Sequence, residues 1–69
     1  MIIIIVEIRL KSGELIKECE VFKDMNGMYT RGMVLATLGK TNNKIDILDH
    51  RTEKFRKINT DNIDTWNFK

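Results

Sequence analysis

Four consecutive isoleucines, Ile2–Ile5, open a run that continues through Val6 to Leu10. No other stretch of this chain narrows its fold as much. The unbroken apolar stretch stops at Val6, after which Glu7 and Arg9 interleave with Ile8 and Leu10. A membrane-spanning helix needs about 20 apolar residues, so this run is too short for one. It also lacks the basic lead and longer apolar stretch of a secretory signal. With a period of two the run resolves into a strand. Ile2, Ile4, Val6, Ile8 and Leu10 fall on one face, and Ile3, Ile5, Glu7, Arg9 and Lys11 on the other. β-Branched residues favour this conformation. One face is apolar throughout, so it predicts a core. The second is apolar only at Ile3 and Ile5, which predicts either a bent strand buried on both sides or a contact with a second copy of the chain.

The rest of the chain must complete that core within 69 residues, enough for one domain. With 42% hydrophobic and 32% charged residues the composition is globular. Net charge is +2, too mild to imply a polyanion partner by itself. The chain has one cysteine, Cys19, and one histidine, His50. No internal disulfide can brace the fold, and a reducing compartment, the cytoplasm, is the simplest expectation. Cys19 reads as a small buried apolar residue. No metal or cofactor spacing is present.

Turn signals divide the remainder. Ser12-Gly13 predicts a hairpin tip, followed by a strand over "LIKECEVF". Simple alternation would set Ile16, Glu18, Glu20 and Phe22 on one face and Leu15, Lys17, Cys19 and Val21 on the other. A helix over 14–24 is the rival. Asn26-Gly27 marks a second turn, and "MYTRGMVLATLG" reads as a strand bent at Gly32, with a short helix at 33–38 ending on Gly39 as the alternative. "KIDIL" predicts a strand with Ile45 and Ile47 inward, "DHRTE" a turn with an exposed His50, and "KFRKI" a strand carrying Phe55 and Ile58. Thr60 or Asp61 could cap one helical turn before Ile63, Trp66 and Phe68 return to the core or edge. About five short strands at close spacing predict a mainly β, small antiparallel barrel. An α+β fold is the runner-up.

Two segments, "VEIRLKSGELIKECEVF" and "EKFRKINTDNIDTWNF", resemble the opening hairpin and the ending of the SH3-like and Sm-like small β-barrels of bacteria. The resemblance implies that fold. The middle of the chain lacks the Asn- and Asp-bearing RNA motif of Sm proteins, so no functional residue carries over. Richness in Ile, Lys and Asn is the composition of a low-GC genome, which points to a phage or mobile-element source.

No catalytic constellation appears. The four glycines are scattered and form no phosphate loop. Asp46, Asp49, Asp61 and Asp64 read as strand-end caps and solubilising charges, and a barrel this small leaves little room for a substrate cavity. The expectation is therefore a non-enzymatic binding module, a regulator or inhibitor acting through a protein partner. Met25, Met28, Tyr29, Trp66 and Phe68 are its candidate interface, because Met and aromatic residues are enriched in interface cores. Ile3 and Ile5 are the candidate homo-oligomer contact. The alternative is RNA or single-stranded DNA binding by Arg51, Lys54, Phe55, Arg56 and Lys57, where cations would hold phosphates and the ring would stack a base. A third reading places a small nucleotide ligand between subunits.

Overall fold

The structure is a computed structural model that describes residues 3–22 and 30–69. Elements follow in the order β1 (Ile5–Leu10), β2 (Leu15–Phe22), α1 (Arg31–Leu38), β3 (Lys44–Asp49), β4 (Lys54–Asn59), a 3-10 turn (Thr60–Asn62) and β5 (Ile63–Phe68). The strands form one sheet in the order β4-β3-β2-β1-β5, with every neighbouring pair antiparallel. No β4–β5 pairing closes this sheet into a hydrogen-bonded barrel.

β1 lies inside the sheet, between β2 and β5, and behaves as its alternation predicts. Val6, Ile8 and Leu10 are buried, Ile4 packs against the core, and Arg9 is exposed. The hairpin tip lies at Gly13, whose φ of +97° is accessible to glycine at little cost.

β2 is a strand, but simple alternation misassigns its faces. Val6 pairs with Cys19, and Ile8 pairs with Ile16. Two residues, Lys17 and Glu18, therefore stand opposite Glu7 alone. This is a β-bulge, and it returns Ile16 to the same face as Cys19 and Val21. All three are buried, while Lys17 and Glu18 are exposed. β5 repeats the device on the other side of β1. Ile8 pairs with Trp66, and Leu10 with Ile63, with the register shift between Arg9 and Leu10. Ile63, Trp66 and Phe68 thus all pack against the core. Both flanking strands carry apolar residues at spacings of three and then two, which one bulge converts into a single face.

The stretch expected to be a bent strand is a helix from Arg31 onward. Thr30 caps it, its Oγ1 accepting from Met33 N at 3.2 Å. Leu35, Ala36 and Leu38 favour a helix, and Val34 and Leu38, four apart, bury on one side with Thr37 between them. Gly39 ends it, and a side chain there would crowd the Leu35 carbonyl. Met33 and Leu35 consequently point outward, 39% and 56% exposed.

The 3-10 turn arrives where expected, with Asn59 rather than Thr60 or Asp61 as its cap: the Asn59 side chain accepts from Asp61 N. Thr60 is instead buried and works as a clamp. Its hydroxyl donates to the Lys40 carbonyl at 2.6 Å and accepts from Asn43 N at 3.0 Å, tying the α1–β3 loop to the end of β4. Asp61 Oδ1 accepts from Asn42 N, and Asn59 donates to the Asn42 side chain. Thr60→Val keeps the shape and strands both loop groups. We expect a loss of about 1–3 kcal/mol in urea unfolding followed by circular dichroism, with the folded spectrum unchanged.

Candidate functional site

The curvature of the sheet decides which side chains meet. Asn59 and Ile63 border the 3-10 turn, yet they belong to opposite edges of a five-stranded sheet. Four strand spacings separate those edges by about 19 Å in a flat sheet. Four residue steps reach about 14 Å at full extension. The sheet must therefore coil until its edges approach at that end, with the core on its concave side under α1.

A second contact requires the same coiling. The Arg56 guanidinium forms a two-pronged ion pair with Glu14, at 2.7 and 2.9 Å. Arg56 is level with Ile47, and Ile47 with Val21. From Val21 back to Glu14 is seven residues, about 23 Å along a straight strand. Neither side chain spans that distance. β2 must bend back across the sheet, and the Lys17–Glu18 bulge lies within the stretch that has to bend. The hydrogen bonds from Arg56 hold the Glu14 carboxyl below the usual carboxylate range, and Glu14 in turn raises Arg56. A carboxyl with a lowered folded-state pKa contributes stability above its ordinary value of 4.5, and that contribution fades as pH falls through the lowered value. Glu14→Gln should therefore melt below the parent at neutral pH, and the two thermal midpoints should converge in acid.

Cys19 lies under this region, fully buried. Burial, reinforced by the nearby Asp49 charge, pushes its thiol up to about 12. The buried-cysteine expectation holds. The thiol should stay unmodified by an aromatic disulfide reagent in native buffer at pH 8 and label fully in guanidinium chloride.

The basic segment divides. Arg56 is committed to Glu14, and Lys57 lies 3.8 Å from Asp46. Arg51, Lys54 and Phe55 are exposed, Phe55 by 71%. Along β4, Lys54, Arg56 and the buried Ile58 turn to the core side, whereas Phe55 and Lys57 turn to the outer face. The ring and all the cations thus do not share one surface.

The outer face carries an apolar row. Phe55 pairs with Leu48, Leu48 with Glu20, and Glu20 with Ile5. The row crosses four strands, interrupted only by Glu20. Glu20 is held by His50 Nε2 at 3.0 Å, so His50 is half-buried rather than a free turn residue: its backbone N also donates to the Glu18 carbonyl. Ile3 lies at the β1 end of the row, 51% exposed, while Ile5 is half-buried.

Trp66 and Phe68 form a different group. Their rings meet edge-to-face, 5.1 Å apart, half-buried against the core. Arg31, from the first turn of α1, stacks its guanidinium 4.2 Å from the Phe68 ring centre. This pair therefore contributes to closing the core. Met25, Met28 and Tyr29 lie outside the described residues. Glu14, Arg31 and Leu48 carry contacts that no local sequence signal announced.

Among the described residues no cluster of three His, Cys, Asp or Glu side chains could hold a metal ion, and no helix is long and apolar enough to cross a membrane. No protein-family model, curated protein or solved structure matches the chain.

Proposed function

We propose that this chain is a small non-enzymatic binding module, a regulator or inhibitor that works through protein–protein contact on the outer face of its sheet. The observation that carries this reading is the row Phe55–Leu48–Glu20–Ile5, with Ile3 beside it. A face of this kind invites a partner, since Ile3 and Phe55, 51% and 71% exposed, leave apolar surface in water. Ile3 remains the candidate contact for a second copy. Trp66 and Phe68, which seal the core under Arg31, leave the proposed interface, and Phe55 and Leu48 enter it. The strand order, the bulged partners of β1 and the 3-10 turn before β5 support reading the coiled sheet as an SH3-like or Sm-like small barrel. A cytoplasmic setting and a phage or mobile-element source accord with the single thiol and the composition.

Nucleic-acid binding by residues 51–57 is the weaker reading. With Arg56 engaged by Glu14 and Lys57 beside Asp46, the segment offers Lys54, which alternates to the face opposite the Phe55 ring, and Arg51 in the preceding turn. A nucleotide held between subunits has no specific observation in its favour.

The test is affinity capture from the host after nuclease treatment. Phe55→Ser should reduce the captured partner at least about tenfold while the far-ultraviolet circular dichroism spectrum stays that of the folded chain. Capture that survives this substitution, or that vanishes with nuclease, overturns the reading.

A further inference from the structure

Glu20 is the charged member of the outer-face row, opposite Leu48 on one side and Ile5 on the other. Residues directly opposite across antiparallel strands bring their side chains within about 5 Å, so this carboxylate stands against two half-buried apolar neighbours. Its own side chain is 25% exposed. A carboxylate so placed needs a partner, and His50 Nε2 supplies one at 3.0 Å. The ring is steadied through its own backbone, since His50 N donates to the Glu18 carbonyl at 2.9 Å.

The net charge of this pair turns on a single proton. Histidine is the side chain that ordinarily changes charge between about pH 5 and 8. His50 is the one histidine of the chain, and the one thiol is pushed up to about 12, out of that range. The other charged groups around the ring come from every neighbouring element. β2 brings Lys17 and Glu18, both exposed, ahead of Glu20. β1 brings Glu7, two residues on from Ile5. On β3, Asp46 lies beside Lys57 of β4, while Asp49 accepts from Arg51 N and is level with Lys54. Arg51 and Glu53 are exposed in the turn that follows. Among the described residues the side chain that meets the ring is Glu20.

With the ring neutral, the pair carries the whole negative charge of Glu20. With the ring protonated, the two charges cancel. A partner laid over Leu48 and Ile5 strips water from the carboxylate in both cases. Covering an uncompensated charge costs far more than covering a paired one.

We propose that His50 is a proton-operated switch for the outer face: a partner seats over Ile5 and Leu48 with Glu20 held by protonated His50, and loss of that proton weakens the contact. The inference rests on the protein-contact reading above and adds its regulation.

The probe is phenyl-agarose, an uncharged apolar surface, loaded with the full chain at constant ammonium sulfate. Retention of the parent should be about threefold greater at about pH 5.5 than at about pH 8. His50→Gln keeps an N–H donor but takes up no proton, so its retention should be the same at both and match the parent at the higher pH. Glu20→Gln should reverse the trend, because its pair is neutral at the higher pH and carries an unpaired imidazolium in acid. Far-ultraviolet circular dichroism checks that each variant is folded. Parent retention that does not rise in acid overturns the proposal, and that measurement needs no variant. A pH difference that survives His50→Gln, or a Glu20→Gln trend running with the parent's, overturns it too. If parent retention is flat while Phe55-dependent capture persists, the switch falls and the protein-contact reading stands. If no partner is captured at either pH, both fall.

Discussion

Three residues join the two edges of a five-stranded sheet, and the shape of the molecule follows from that tether. A flat sheet would hold Asn59 and Ile63 too far apart for Thr60–Asn62 to connect. Coiling brings the edges together at one end, and it also gives a short chain a concave side in which to bury apolar residues. The bulges make the coiling compatible with a continuous core. Each adds local twist next to β1, and each keeps an apolar triplet, Ile16/Cys19/Val21 or Ile63/Trp66/Phe68, turned inward through the bend.

Polar contacts then hold the coil at its extremities. Thr60 anchors the α1–β3 loop to the 3-10 turn, and Glu14 reaches Arg56 across the bend of β2. Neither is a large source of stability by itself, since one replaces hydrogen bonds to water and the other is exposed. Their importance is positional. Arg56 is withdrawn from the basic strand, and the hairpin tip is held over the sheet. The consequence for function is a division of surfaces: Trp66, Phe68 and Arg31 seal the core, while Phe55 and Leu48 face outward.

Much of the architecture was legible in the residues. The first strand, the hairpin at Gly13, the inward Ile45 and Ile47, and the turn before β5 all follow from period-two patterning and local turn chemistry. The faces of β2 were not, because strict alternation assumes an unbulged strand, and the spacing Ile16-x-x-Cys19-x-Val21 makes sense only with the insertion. α1 was missed as the first choice because Gly32 suggested a bent strand, whereas the Thr30 cap and the Val34/Leu38 spacing decided for helix. For the candidate site, Phe55 was readable as an aromatic residue among cations at 51–57, where it entered as the ring of the nucleic-acid alternative. Its placement in line with Leu48 and Ile5 depends on strand order, and the loss of Arg56 to Glu14 links residues 42 apart.

By itself, the sequence determined the element types wherever local periodicity and turn residues agree, and it determined that one face of the first strand must be core. Those are short-range matters: side-chain direction along a strand, a cap, a glycine with positive φ. Only the tertiary structure decided which apolar residues seal the core and which remain outside. That outcome depends on register, and register here includes two inserted residues whose placement is set by packing against β1. It also decided that β4 and β5 are the terminal strands of the described sheet, because edges are defined by what lies beside a strand in space, which no window of sequence contains.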